Sequence, residues 1–214
     1  MKVGTNLFVA FIFLAFISCS KSEEDSMGPD PVETITTTND VVDRITKEVV
    51  GISTLVRSKG QISVTFETTN LIPGHIYNLI WVIYNNPEEC LEDPCTFGDL
   101  YYNLATLPVA YIATGQVAAS SSVTFKAVLE EGDITKQTIR ADMTSFGLRD
   151  AYKAEIQFGL RSHGPPIPSQ QQLQLTTYSG GCTVNFSVSG NNLEVPDEEG
   201  ECAVIQESIH KAPE

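Results

Sequence analysis

From residue 50 onward, apolar and polar side chains alternate with a period of two in one stretch after another. In QISVTFE, residues 61–67, Ile62, Val64 and Phe66 leave one side while Gln61, Ser63, Thr65 and Glu67 leave the other. The same pattern runs through Val123, Phe125, Ala127 and Leu129, and through Val184, Phe186 and Val188 in TVNFSV. In KAEIQFGLR, Ala154, Ile156, Phe158 and Leu160 alternate with Lys153, Glu155, Gln157 and Arg161. Alternation of this kind marks β-strands with one buried and one solvated face. IYNLIWVIY, residues 76–84, is apolar on both sides and predicts a central strand carrying the single tryptophan, Trp81. Further strands are predicted near 51–57, 109–117 and 203–210, with turn-forming IPGH, NNPE, EEGD and SGGC between them. About eight short strands without alternating helices predict an all-β fold: an antiparallel β-sandwich, immunoglobulin-like or jelly-roll-like. One or two short helices are expected, near 40–48 and 169–175.

The N-terminal pattern is different. Lys2 precedes an apolar run, Leu7 to Ile17, of eleven residues. A bilayer-spanning helix needs about twenty apolar residues, so this run fits the core of an export signal instead. Its end, Phe16-Ile17-Ser18-Cys19, resembles the bacterial lipobox, with phenylalanine where leucine is most usual. The resemblance implies that residues 1–18 are a lipoprotein signal peptide and that Cys19 becomes an acylated N-terminus. One acyl chain holds a protein only marginally, but each buried methylene adds roughly 0.8 kcal/mol, so several chains hold firmly. Ser-Lys-Ser-Glu-Glu-Asp after Cys19 resembles the surface-export signal of lipoproteins of the Bacteroidetes group, and Asp25-Ser26-Met27 resembles their O-glycosylation site. Residues 19–40 carry Gly28, Pro29, Pro31 and a threonine run without apolar periodicity, which predicts a disordered tether. Residues 41–214 are then a single β-sandwich domain. The expected address is the outer membrane, exposed at the cell surface, with the periplasmic face as the alternative.

Charge narrows the partners. Without residues 1–18 the chain keeps 12 basic and 27 acidic side chains, a net charge of −15. Such a domain repels phosphate backbones and anionic lipid, which argues against nucleic acid. Neutral glycans, proteins and divalent cations remain as ligands, and the lipid anchor is the one expected contact with the membrane.

Besides Cys19 there are Cys90, Cys95, Cys182 and Cys202. An even set in an exported chain reads as two disulfides with three possible connectivities. Near-neighbour pairing is favoured: Cys90–Cys95 would pinch CLEDPC, and Cys182–Cys202 would close a loop. A loop of about twenty residues is worth roughly 3 kcal/mol by chain entropy. A zinc site is the weaker reading, because no CxxC spacing is present.

Three histidines are candidate ligand or metal residues: His75 after a Pro-Gly turn, His163 opening HGPPIP, and His210 at the end of the last predicted strand. Three imidazoles at strand ends would bind zinc or copper if they converged. The plainer account has each imidazole donating to a nearby carbonyl and pinning a turn, since no HxH or HExxH spacing occurs. Glu88, Glu89, Glu92, Asp93 and Asp99 surround the first predicted disulfide and match no EF-hand spacing; they and EVPDEEGE, residues 194–201, read as solvated acids. GxSxG, GxxxxGK[ST] and GxGxxG are all missing, so no catalytic residue and no cofactor is expected. Ser162 and His163 are adjacent, but neighbours on a strand point to opposite faces.

Three segments together, PGHIYNLIWVIYNNPEEC with PC shortly after, AEIQFGLRSHGPPIPSQQQLQLTTYSGGC, and ECAVIQESIHKA, resemble an uncharacterised family of secreted bacterial proteins with no assigned activity. The resemblance covers about residues 51–212 and implies an exported β-sandwich, but no substrate. Family members place the two C-terminal cysteines a few residues apart, whereas TVNFSVSGNNLEVPDEEGE separates them here. The sequence therefore predicts a lipid-anchored surface module that binds an unidentified ligand. The alternative is a metal protein or enzyme using His75 and His163.

Overall fold

The structure is a computed structural model describing residues 33–135, 139, 146–182 and 202–213. The predicted signal segment, Cys19, the TVNFSV strand and the 194–201 acids lie outside those residues. Among the described residues there are eight antiparallel strands: β1 (Thr34–Asp43), β2 (Val49–Ser58), β3 (Gln61–Thr68), β4 (Ile76–Tyr84), β5 (Pro108–Val117), β6 (Val123–Glu130), β7 (Glu155–Ser162) and β8 (Ala203–His210). They form one sheet in the order β5-β4-β7-β8-β1-β2-β3-β6. Two short α-helices accompany them, α1 (Phe97–Tyr102) and α2 (Gln171–Thr176). Among the described residues no helix is long and apolar enough to cross a membrane.

The all-β antiparallel class is as expected, in the form of a single, nearly closed sheet. β1 and β8 share only the pairs Val42–Glu207 and Asp43–Gln206. At the other margin, Gln116 Nε2 on β5 donates to the Thr124 carbonyl of β6 at 3.1 Å. The half β5-β4-β7-β8 faces the half β1-β2-β3-β6 over one apolar core. Phe66 of β3 stands edge-on to Phe125 and Phe158, with centroids at 6.4 and 6.2 Å, and Phe158 meets Trp81 at 5.0 Å. Such aromatic contacts hold the two halves together beyond simple area burial.

Two sequence expectations need correction at the N-terminal end. The tether was expected to run to residue 40, yet Thr34 already begins β1, which pairs with β2 from Thr34–Ser58 to Val42–Val49. Threonine is β-branched and fits a pleated strand, so a threonine run lacking apolar alternation still extends when a partner strand is supplied. The helix expected at 40–48 is the end of β1 and a turn. Asp43 Oδ1 accepts from the Ile45 and Thr46 amides at 2.9 and 2.8 Å, which closes the turn before helix can start. The helix expected near 169–175 is α2. α1 was not foreseen.

A third correction bears on function. The face of β7 carrying Glu155, Gln157 and Arg161 was expected to be wet, but Glu155 and Arg161 are buried and Gln157 is partly covered. Two segments lie over it, 85–107 with α1 and 163–182 with α2. They also cover Ile80, Val82 and Tyr84 of β4, which explains why that strand is apolar on both faces. The outward polar residues of the sheet hold this layer: Tyr84 Oη donates to the Thr96 carbonyl at 2.7 Å, Gln157 Nε2 to the Cys95 carbonyl at 2.7 Å, and the Cys95 amide donates to Glu155 Oε1 at 3.1 Å.

Candidate functional site

Each covering segment carries a disulfide, and the pairs are those favoured from the sequence: Cys90–Cys95 and Cys182–Cys202. The first segment is braced further by Asp99. Its carboxylate accepts from the Leu91 and Thr96 amides, both at 2.9 Å, from Thr96 Oγ1 at 2.9 Å and from Asn103 Nδ2 at 3.1 Å. Burial opposes its charge, but those donors outweigh burial and hold its pKa below the ordinary value. Asp99 is therefore not one of the solvated acids it was grouped with; Glu88, Glu89, Glu92 and Asp93 are exposed. Thr96 with Asp99 three residues on is a capping pattern that would have marked α1 in the sequence.

The second segment packs tightly against the sheet. A Cβ on Gly115 would overlap the Leu175 carbonyl and Asn78, and one on Gly180 would overlap the Leu173 carbonyl, so glycine is needed at both. Gln174 of α2 is fully buried and supplies the donors that the proline loop lacks: Nε2 reaches the His163 and Pro165 carbonyls, each at 3.1 Å, while Oε1 accepts from the Ile167 amide at 2.8 Å. Sequence reasoning missed this glutamine, because a polar side chain on a short helix looks like surface.

Between the two segments lies a shallow groove. Ile80, Val82, Gly159 and Val204 form its floor, Phe97 and Leu100 one wall, and Tyr178 the other. Its cavity volume is about 20 Å³, far below the roughly 300–1,000 Å³ of pockets that enclose small ligands. Outside the groove the α1 segment stays apolar: Leu91, Tyr102 and Leu104 are 80%, 73% and 68% exposed, and Phe97 41%. Phe97 stacks on Tyr101 at 5.9 Å, and the Arg44 guanidinium lies 5.5 Å from the Phe97 ring centre. Arg44 also pairs with Glu207 at 3.2 Å at the groove edge.

The three histidines do not converge. His210 stands opposite Ile156 at one end of β7, and His163 follows Ser162 at the other. Seven residues separate the two levels, about 23 Å along a strand. His75 lies next to Ile76, whose amide donates to the Gly164 carbonyl at 2.9 Å, so it is near His163 in the chain's pairing. The period of two nevertheless sends residues 75 and 163 to opposite faces, because it is Ile76 that sits level with His163.

Both buried imidazoles are fully engaged. His163 Nδ1 is 2.8 Å from the Gly180 carbonyl, which fixes the proton on Nδ1, and Nε2 accepts from Asn78 Nδ2 at 3.0 Å. Burial pushes its pKa down to about 4, with the nearby Arg161 charge adding to the effect. His210 Nε2 is 2.7 Å from Ser53 Oγ and Nδ1 is 2.7 Å from Thr37 Oγ1. Burial, then the Arg57 charge, likewise lowers it to about 4. Ser53 and His210 form a serine–histidine pair that adjacency in sequence does not reveal, but both are 0% exposed and the third partner is a threonine rather than a carboxylate. Ser162 Oγ accepts from the Gly164 amide at 3.3 Å.

Among the described residues, one group of ligand-type side chains is close enough to surround a metal: His163, Cys182 and Cys202, with their atoms within 4.8 Å of one another. Both sulfurs are spent on the disulfide, and Nδ1, the nearer imidazole nitrogen, holds a proton. Comparison with family models, curated proteins and solved structures gave no match to this chain.

Proposed function

We propose that this chain is a lipid-anchored module at the cell surface whose α1 segment and adjoining groove bind another macromolecule through apolar contact. The observation that carries the reading is the run of exposed apolar side chains, Leu91, Phe97, Tyr102 and Leu104, on a segment locked by a disulfide and by Asp99. Contiguous exposed apolar surface is uncommon on a soluble domain and marks contact sites. Rigidity supports the same reading, because a preformed surface loses little entropy on binding. The groove is too shallow to enclose a small substrate, which favours binding over turnover. The exposed acids Glu88, Glu89 and Glu92 lie on the same segment, so the fitting partner is a protein segment with apolar or aromatic side chains accompanied by basic ones.

Two experiments test this. Replacing Cys19 by alanine is expected to move the protein from the detergent-requiring membrane fraction to the soluble one; retention in the membrane fraction contradicts the anchor. Selection of a displayed random-peptide library on the purified domain, counter-screened on Phe97→Asp, is expected to yield aromatic and basic peptides that the variant releases. Peptides that bind both proteins equally, or none at all, contradict the assignment of the surface.

A further inference from the structure

The surroundings of Cys182 differ from those expected of a merely structural disulfide. Arg161 Nη2 lies 3.8 Å from its sulfur, and His163 Nδ1 also lies 3.8 Å from it. Only Arg161 donates to that sulfur: the single hydrogen on His163 Nδ1 points at the Gly180 carbonyl, which itself lies 3.7 Å from the sulfur. Arg161 is held in place, 2% exposed, with its guanidinium carbon 4.0 Å from the centre of the Tyr178 ring. A guanidinium fixed beside a sulfur in a water-poor site favours the anionic form of that sulfur. The same tautomer argues against a metal, because Nδ1 would have to lose its proton and its carbonyl partner before it could ligate.

We infer that Cys182–Cys202 is a redox-active disulfide, opened by dithiols, whose reduced form keeps Cys182 as a thiolate beside Arg161. Cys182 is the partly exposed residue of the pair and Cys202 the buried one, at 3%. One thiolate of the dithiol attacks Cys182 Sγ, the bond to Cys202 breaks, and Cys202 leaves and takes up a proton. The second thiol of the reductant then loses its proton to solvent and attacks its own sulfur in the mixed disulfide, expelling Cys182 as the thiolate. The reductant loses two electrons and becomes a cyclic disulfide, and the protein gains them. The pocket stabilises the leaving group of the second step, and the stabilised product shifts the equilibrium towards reduction. The reduced site offers a nucleophilic sulfur to thiol-modifying reagents and to oxidants.

The test uses single free thiols in the full chain with Cys90–Cys95 intact. In Cys202→Ser, the pH dependence of iodoacetamide labelling at Cys182 is expected to have its midpoint at least one unit below the ordinary cysteine value of about 8.5. In Cys182→Ser, the buried Cys202 is expected at or above that value. Adding Arg161→Met to Cys202→Ser is expected to raise the midpoint by about one unit, a tenfold change in the ionisation constant, and Arg161→Lys to restore it in part. Should the Arg161 variants not fold, the dithiol ratio that half-reduces the wild-type bond decides. The pocket predicts that raising the pH from 6 to 8 shifts that ratio by the release of one proton per bond reduced, as a thiolate product requires. A Cys182 midpoint at or above the ordinary value, or an Arg161→Met variant that titrates like its parent, overturns the inference.

Discussion

His163 and His210 stand at opposite ends of β7, both 0% exposed and both pushed down to about 4 by burial, yet they sit in different kinds of surroundings. His210 belongs to a polar seam inside the sheet. Below Val42–Glu207, β1 and β8 no longer pair, and side chains replace the missing ladder: Asn39 Nδ2 donates to the Ile209 carbonyl at 2.6 Å, Thr37 reaches His210, and Ser53 meets both Ser208 and His210. The seam is made largely of hydroxyls, which rotate to donate or accept as required. His163 belongs to the outer layer, where a carbonyl on one side and an amide nitrogen on the other dictate where its proton sits. The inner histidine has tolerant partners, and the outer one has partners that permit one tautomer only. A rigid polar arrangement beside a disulfide is the one from which chemistry can be argued.

The largest effect that both histidines share is on acid stability. Their folded pKa is depressed from 6.5 to about 4, so between those values the unfolded chain binds protons that the folded chain refuses. Stability contributed by the neutral imidazoles is then complete above pH 6.5 and is lost as pH falls towards 4, on the order of 5 kcal/mol for the pair. Glu155 acts in the opposite sense, because burial raises its pKa and favours the folded state while it is protonated. Urea unfolding midpoints measured from pH 7 to 4.5 are expected to fall steadily. A flat profile would show that neither imidazole is neutral and buried.

Next in size is Arg57, which closes the lower end of the inner seam. It is fully buried and donates from Nη1 to the Ala151 and Ala154 carbonyls at 2.6 and 2.8 Å, and from Nη2 to the His210 and Lys211 carbonyls at 3.3 and 3.1 Å. Burial, only partly offset by Asp150 and Glu155, lowers its pKa to about 10. Arg57→Met keeps most of the volume but strands four carbonyls, and is expected to cost about 3–5 kcal/mol. Chemical denaturation measures it. A loss under about 1 kcal/mol would mean that water reaches those carbonyls.

How much of this was legible follows from the same contrast. Strands β2 to β8 were marked by period-two apolar positions or by continuous apolar runs, and the disulfide pairs by proximity in sequence. β1 was hidden because its inward positions include Thr37 and Asn39, which serve the polar seam and so erase the alternation that marks a strand. Glu155, Gln157 and Arg161 looked solvent-facing because alternation reports which residues share a face, not what later lies on it. The outer layer comes from segments with no periodicity, so its hold on the sheet through Tyr84, Gln157 and Gln174 could be found only in three dimensions. His163 was singled out for the right loop, but its partners, Asn78 and Gly180, are 85 and 17 residues away.

His163→Ala is expected to cost about 2–3 kcal/mol, since it strands the Gly180 carbonyl and an Asn78 donor in a buried site. The loss should be the same with and without micromolar zinc or copper, because a native-state ligand would otherwise raise the wild-type midpoint by mass action. A wild-type midpoint that climbs with metal while the variant's does not would restore the metal reading of this histidine.

The finest test separates the two histidines by the order in which they take up protons. An imidazolium at position 210 would donate through both nitrogens to hydroxyl oxygens, each with lone pairs to receive it. At position 163 the new proton would fall on Nε2, against the Asn78 amide nitrogen, which also donates to the Thr177 carbonyl at 3.0 Å. Turning that amide over would bring its oxygen against the same carbonyl, so the outer site has no arrangement that accepts the second proton. Both sites face an arginine, Arg161 for His163 and Arg57 for His210, so charge alone separates them little. Following the two imidazoles by NMR as pH is lowered through the native range, His210 is expected to titrate first, by a fraction of a pH unit to about one unit. Titration of His163 ahead of His210 would show that the outer layer loosens before the seam does.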